Sequence, residues 1–276
     1  MSDPHQGFRQ AVERPEDLID LGRAALTIAL DDYPNLDIAA YLARINQLAV
    51  DVTARIGGES GVYRAIAALN TVLFKEQGFR PNRESYFDPK NSFLNEVLDR
   101  KTGIPITLSV LYIEVAQRIG LPLCGVGFPG HFLVKYCDAD EEIVIDPFDG
   151  GEIKSRASLE KLLYEQYGGK LAMQPAFLEA AGKKQILRRM LNNLKMIYLR
   201  DAAYLKALPV LQRLVILDPA AADDVRDRGA IYLQLECFKQ ALEDFERYVK
   251  LMPDAADAAL VREKIIELTK QVSLIN

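Results

Sequence analysis

The stretch GIPITLSVLYIEVAQRIG, Gly103 to Gly120, decides how this chain folds. Pro105 is tolerated in the first turn of a helix, so the spacing predicts a helix from about Pro105 to Gly120. Between Ile106 and Ile119 only Glu114, Gln117 and Arg118 are strongly polar. Apolar residues then cover most of the helix circumference, and a helix of that kind belongs inside a domain. After Gly120-Leu121-Pro122 the texture changes to short apolar segments, Leu123 to Phe128, His131 to Cys137 and Glu142 to Asp146. Pro129-Gly130 and the run Asp138 to Glu141 separate them, which predicts antiparallel strands. Asp146 to Gly151 is a turn cluster, and helix is predicted again over Ile153 to Tyr167.

Outward toward the N-terminus, Leu18, Leu21, Ala24, Ala25 and Ile28 recur at three and four spacing. Tyr33-Pro34-Asn35 breaks that pattern, Ile38 to Ile56 resumes it, and Gly57-Gly58 ends it. A third helix is predicted over about 59 to 77, stopping at Gly78. Arg80-Pro81-Asn82 opens an irregular stretch reaching Asn91-Ser92, and Ser92 is the expected N-cap of a short helix ending near Arg100. Helices followed by a small sheet make residues 1–175 an α+β domain.

Outward toward the C-terminus everything from 183 onward reads helical. Pro219 and Pro253 lie 34 residues apart, and Leu217-Asp218-Pro219 is echoed by Leu251-Met252-Pro253. That period is the one of the tetratricopeptide repeat. Gly229, Tyr232, Ala241, Phe245 and Pro253 follow the repeat's order, and Tyr198, Ala207, Leu211 and Pro219 stand at matching offsets before them. Lys195, however, occupies the place of a small residue. The expected second domain, 183–276, therefore holds one good repeat, one degenerate repeat and a capping helix over about 255 to 272. Between the domains, Leu171, Phe177 and Leu178 make 168–183 too apolar for a free tether.

Lys and Arg total 34 against 39 Asp and Glu, a net charge of −5. A phosphate-tracking protein usually carries a basic excess, so no nucleic-acid partner is expected. Three scattered cysteines, Cys124, Cys137 and Cys237, form no CxxC pair and point to a reducing compartment. With no apolar run of membrane length and no signal-like start, the expected location is cytoplasmic, with no membrane partner. Two histidines, His5 and His131, do not assemble the usual metal sites, and no metal or other cofactor is expected.

A hairpin turning at Asp138 to Glu141 is expected to set His131 opposite Asp146 on one face, within reach of a carboxylate–imidazole bond. That is the base and the orienter of a nucleophilic triad, provided the register does not slip. A nucleophile is favoured at the N-terminus of a buried helix, where the dipole lowers a thiol pKa. Here that terminus reads Gly103-Ile104-Pro105-Ile106-Thr107. Cys124 on a neighbouring strand, or Ser109 and Thr107 in the helix, are the substitutes at hand, although a strand cysteine is commonly inert and such hydroxyls commonly bond to their own helix. Asn91, Pro105, Ile106 and Ser109 are the candidate pocket residues.

GIPITLSVLYIEVA, Gly120-Leu121-Pro122, FPGHFLV at Phe128 to Val134, IDPF at Ile145 to Phe148, and NSFL at Asn91 to Leu94 together resemble the SirB-type family of bacterial transglutaminase-like proteins. With the repeats behind them the resemblance covers almost the whole chain. It implies a papain-like domain in which a cysteine at a helix start, a histidine on one strand and an aspartate on the next form a triad. His131 and Asp146 match the latter two, while the cysteine's position falls on Pro105 or Ile106. Neither side chain can attack a carbonyl. The resemblance thus implies a retained fold used for binding: a non-catalytic cytoplasmic scaffold or regulator, whose protein or peptide partner docks on the repeat region or in the vacant cleft. Arg188, Arg189, Asn192 and Lys195, on the first repeat helix with Asn193, are the candidates to grip an acidic partner segment. The alternative is an acyl-transfer enzyme of the cysteine peptidase, amidase or transglutaminase type, using His131 and Asp146 with a displaced nucleophile.

Overall fold

In a computed structural model that describes residues 5–58, 61–137 and 142–275, the helix predicted at the centre of the chain runs Pro105–Arg118. Every residue from Pro105 to Ala116 is buried, Glu114 included. In chain order the helices before it are α1 (Gln6–Val12), α2 (Leu21–Thr27), α3 (Ile38–Ile56), α4 (Val62–Asn70) and α5 (Leu94–Arg100), so Pro105–Arg118 is α6. Asp20 and Asp37 start α2 and α3 by accepting from the Arg23 and Ala40 amides. α4 continues as a single π-helical stretch, Thr71–Glu76, before Gly78. A short parallel pair, β1 (Arg80–Pro81) and β2 (Thr102–Gly103), brackets α5.

The short helix α5 is not capped by Ser92. Its N-cap is Phe93 without a side-chain bond, and Ser92 is fully buried with its hydroxyl unpartnered. The preceding turn, Pro89–Ser92, is instead capped by Asp88, which accepts from the Lys90 amide.

β3 (Leu123–Val126), β4 (Leu133–Tyr136), β5 (Val144–Asp146), β6 (Glu152–Lys154) and β7 (Ala180–Ala181) form one antiparallel sheet in the order β6-β5-β4-β3-β7. β6 occupies the start of the segment predicted as helix. Gly150 and Gly151, at φ 64 and 79, turn the chain back on β5, and α7 (Arg156–Tyr167) begins only where Ser155 accepts from the Ser158 amide. The β4–β5 register also departs from expectation. Val134 faces Ile145 and Lys135 faces Val144, so continuing the ladder puts Leu133, not His131, opposite Asp146. The His131 amide bonds the Phe128 carbonyl at 3.0 Å, which keeps His131 in the turn before β4. The predicted turn, Asp138 to Glu141, lies outside the described residues.

α8 (Lys183–Arg200), α9 (Tyr204–Leu217), α10 (Ala222–Gln234), α11 (Phe238–Leu251) and α12 (Ala258–Ile275) complete the chain. The molecule divides into two compact units, Ala11–Met190 on one side and Met1–Gln10 with Leu191–Asn276 on the other. This boundary is later than the expected 175–183 and falls inside α8. Two packing facts account for it. Leu171, Met173, Phe177 and Leu178 lie on the cluster of Val126, Phe128, Leu133, Val144, Leu159 and Leu163 beside the sheet, and Ile186 meets Gly125 of β3 so closely that a Cβ there would lie 3.0 Å from it. Within the other unit, His5 Nε2 lies 2.7 Å from Gln212 Oε1, and Arg213 lies over Phe8. Its core is Val215, Val225, Ala241, Phe245, Tyr248, Val261 and Leu268, with Gly229 leaving room for the Phe245 ring, 3.0 Å from where a Cβ would stand.

Candidate functional site

A shift of two residues along an antiparallel ladder preserves the face on which side chains point. Asp146 and His131 are therefore diagonal rather than direct neighbours, and they still meet: His131 Nε2 lies 2.9 Å from Asp146 Oδ2. Their side chains are 11% and 5% exposed. Asp146 is fixed from both ends of its carboxylate, since Oδ1 accepts from the Phe148 amide at 3.0 Å. The Gly151 amide bonds the Asp146 carbonyl at 2.9 Å, closing the turn beneath it. Asn70 holds that turn from α4, donating through Nδ2 to the Gly151 carbonyl at 2.8 Å while accepting from Tyr112 of α6 at 2.9 Å. The carboxylate fixes the orientation of the imidazole and decides which ring nitrogen carries the hydrogen.

At the start of α6 the hydroxyls bond to groups other than His131. Pro105 and Ile106 are buried there, and Thr107 Oγ1 donates to the Asn91 carbonyl at 2.8 Å and accepts from the Ile104 amide at 3.2 Å. Ser109 Oγ points to the Phe132 carbonyl at 3.5 Å. Cys124 is not a free thiol. It is disulfide-bonded to Cys137, with Cα atoms 6.2 Å apart, across the β3–β4 edge. The reading of three unpaired cysteines is thereby corrected. Spacing in the sequence carries no signal of that pair, and Cys237 alone is free.

Asn91 does not bond His131. Its Nδ2 donates to the Ser85 and Tyr86 carbonyls at 2.7 and 3.1 Å, and its Oδ1 accepts from Asn82 and Arg100 at 3.0 and 2.8 Å. All of its bonding capacity goes to shaping the loop of residues 82–91, and through that loop it places Tyr86. The Tyr86 ring meets Phe148 edge-on at 6.4 Å, and Phe148 meets the His131 ring at 5.8 Å. Arg83 lies 4.7 Å above the Phe148 ring. Burial pushes the Tyr86 phenol up, against the pull of Arg189.

Arg189 is the residue most displaced from expectation. It does not sit on a repeat face but reaches the site, donating through Nη2 to the His131 carbonyl at 2.8 Å and lying 5.6 Å from the Phe132 ring. Burial lowers its pKa, with Tyr86 and Tyr167 opposing. Lys195 is likewise engaged: Nζ lies 3.0 Å from Asp224 and 2.5 Å from Asp227. Arg188 and Asn192 flank Arg189 on α8. Tyr86 and Arg83 are not among the residues the sequence singles out, and Phe148 stands there only within the IDPF motif. Only the aromatic pair at Tyr86-Phe87 in an otherwise polar loop hinted at them.

Among the described residues no group of three or more His, Cys, Asp or Glu side chains is arranged to hold a metal ion, and no helix is long and apolar enough to cross a membrane.

Residues 39–192 match the transglutaminase-like superfamily, and residues 194–265 match the tetratricopeptide repeat. The chain is 36% identical over 259 residues to a UPF0162 protein of Xylella fastidiosa, covering 93% of this chain and 92% of that one. A Vibrio cholerae UPF0162 protein is 31% identical over 257 residues, with 92% and 94% covered. The F-box only protein 21 of Mus musculus is 32% identical over 161 residues, which are 55% of this chain and 26% of that protein. No solved structure matches. The chain thus belongs to the SirB-type family of transglutaminase-like proteins with C-terminal tetratricopeptide repeats, whose bacterial relatives carry the name UPF0162.

Proposed function

We propose that this protein is a non-catalytic transglutaminase-like protein that acts as a cytoplasmic protein-interaction scaffold or regulator. One observation carries the reading: the helix start that faces the triad chemistry in this superfamily holds Pro105 and Ile106, and the nearby hydroxyls and thiol are each bonded elsewhere. Nucleophilic catalysis needs the attacking atom within hydrogen-bond reach of its base. Repeat arrays of the α8–α12 kind commonly bind protein segments, and the match to one quarter of a longer F-box protein fits a domain used as a module. Recovery of a stable protein partner from lysate, lost on changing exposed residues of the repeat unit such as Met196 and Leu260, is the expected result. A purified protein that hydrolyses or transfers acyl groups, with activity lost in His131→Ala, would sink it.

The second reading, an acyl-transfer enzyme with a displaced nucleophile, draws on the intact His131–Asp146 bond. It requires a nucleophile freed from its present partner. Reduction of the Cys124–Cys137 bond is the one step that would release a thiol. Fast alkylation of reduced Cys124 below neutral pH, abolished in His131→Ala, is its signature.

A further inference from the structure

Among the described residues the cation beside His131, Arg189, has no counter-ion. Arg100, Arg118 and Arg228 are the comparable half-buried guanidiniums, and each has a carboxylate: Asp88 at 2.9 Å, Glu114 at 2.8 Å, and Asp244 at 2.6 and 2.7 Å. Arg189 is buried to the same degree as Arg228, and among the described residues no carboxylate lies within 4 Å of it. Its single hydrogen bond, to the His131 carbonyl, uses one of five donors. A desolvated charge without a partner is costly, so an anion that enters here gains the pairing that the described residues withhold.

The surroundings define that ligand. Tyr86 and Tyr167 are near enough to act electrostatically on the guanidinium. Neither hydroxyl makes a hydrogen bond within the described chain, so both remain as donors. Asp146 and Asp149 supply negative charge nearby, Asp146 through His131 and Asp149 at 3.9 Å from Arg83. A dianion would meet their repulsion, whereas a planar monoanion matches the guanidinium fork. Buried rings back the polar groups, Phe132 under the guanidinium and Phe148 against His131, while the Tyr86–Phe87 pair, 5.4 Å apart, presents the exposed aromatic surface.

We propose that Arg189, with Tyr86 and beside His131, forms a receptor for the carboxylate of a peptide segment carrying a neighbouring aromatic or apolar side chain. The peptide carboxylate completes the ion pair that the described residues leave open, and the exposed Tyr86–Phe87 pair takes up the adjacent side chain. The inference rests on the binding reading of the site above. It is separable from it, because a partner held by the repeats alone would leave the scaffold reading standing and remove this one.

The test is a titration of the full chain, observed at the Arg189 Nε–Hε resonance, with N-acetylphenylalanine and with its amide. A saturable shift with the acid and none with the amide is expected. Arg189→Gln should weaken binding about tenfold or more, as loss of a bidentate charged pair does, and Tyr86→Phe severalfold. Tyr86→Phe removes only an unbonded hydroxyl, so its melting temperature should match wild type and exclude misfolding as the cause. Peptides ending in a free or amidated Phe, and internal Phe-Glu against Phe-Gln segments, assign the carboxylate to a chain terminus or to an acidic side chain. Equal binding of acid and amide, binding of neither at tens of millimolar, tighter binding of phenyl phosphate, or wild-type affinity in both variants would overturn the proposal.

Discussion

Lys195 stands where the repeat calls for a small residue, and Asp224 answers it across 3.0 Å with side chains 15% and 3% exposed. In the following repeat the matching position is Gly229, hard against the Phe245 ring. Burial pulls the Lys195 ammonium down, but its bonds to Asp227 and Asp224 outweigh that and raise it. Lys195→Ala removes the cation that lies 3.0 Å from the buried Asp224 carboxylate and should cost about 3 kcal/mol. The double variant Lys195→Ala/Asp224→Ala should recover part of that loss, since the contact of Lys195 with Asp227 is missing from both. Urea unfolding checks both, and additive losses would show the pair to be uncoupled.

Glu114 offers a pH signature of opposite sense to that of most carboxylates. Burial raises its pKa, with Arg118 opposing at 2.8 Å. A folded value above the unfolded one of about 4.3 means that the native state holds this proton to higher pH. Its contribution therefore favours folding at low pH and is lost as pH rises through the folded value. Glu114→Gln mimics the neutral form and keeps an acceptor for Arg118. The stability of the variant relative to wild type should climb as pH rises from about 4 to about 7. A difference that stays constant across urea midpoints in that range would contradict the sign argued here.

How far the sequence could be read depended on whether a pattern is local. The all-round apolar run from Ile106 to Ile119 can be satisfied only by a buried helix, and α6 is one. The echo of Pro219 in Pro253 carried the repeats, because spacing along the chain is all that a repeat requires. β6 was lost because three residues, Glu152 to Lys154, have too little periodicity to distinguish a strand from a helix start. His131 and Asp146 were paired through a register that the ladder does not have, and they meet because the error was an even number of residues. The Cys124–Cys137 bond, the orphaned Ser92 hydroxyl and the reach of Arg189 to His131 depend on which faces meet in space. No helical period specifies that.

The disulfide makes a prediction about exposure and about strength. Cys124 and Cys137 are separated by 13 positions, and closing a loop of that size stabilises by about 3 kcal/mol in the chain-entropy account. Reduction should lower the melting temperature, and Cys124→Ser/Cys137→Ser should reproduce the reduced protein. Alkylation read by mass spectrometry on the untreated protein should label Cys237 alone. Equal labelling of all three would show the pair open and return the cysteines to the reducing setting expected from their spacing.

Asp146 sets the tautomer of His131. A carboxylate oxygen only accepts, so Nε2 must carry the hydrogen in their 2.9 Å bond, leaving Nδ1 as the basic nitrogen. Asp146→Asn keeps an oxygen for the Phe148 amide, and it turns an amide donor toward the imidazole. Nε2 must then accept, and the hydrogen moves to Nδ1. Nitrogen shifts of the His131 ring should exchange their pattern between wild type and variant with little change in melting temperature. Asp146→Ala removes both bonds and should destabilise by about 2 kcal/mol, since a buried ring nitrogen and a buried amide lose their acceptor. An unchanged ring pattern in Asp146→Asn would mean that the carboxylate does not orient this histidine. The 2.9 Å contact would then tie the turn before β4 to the end of β5 without setting the chemistry of the ring.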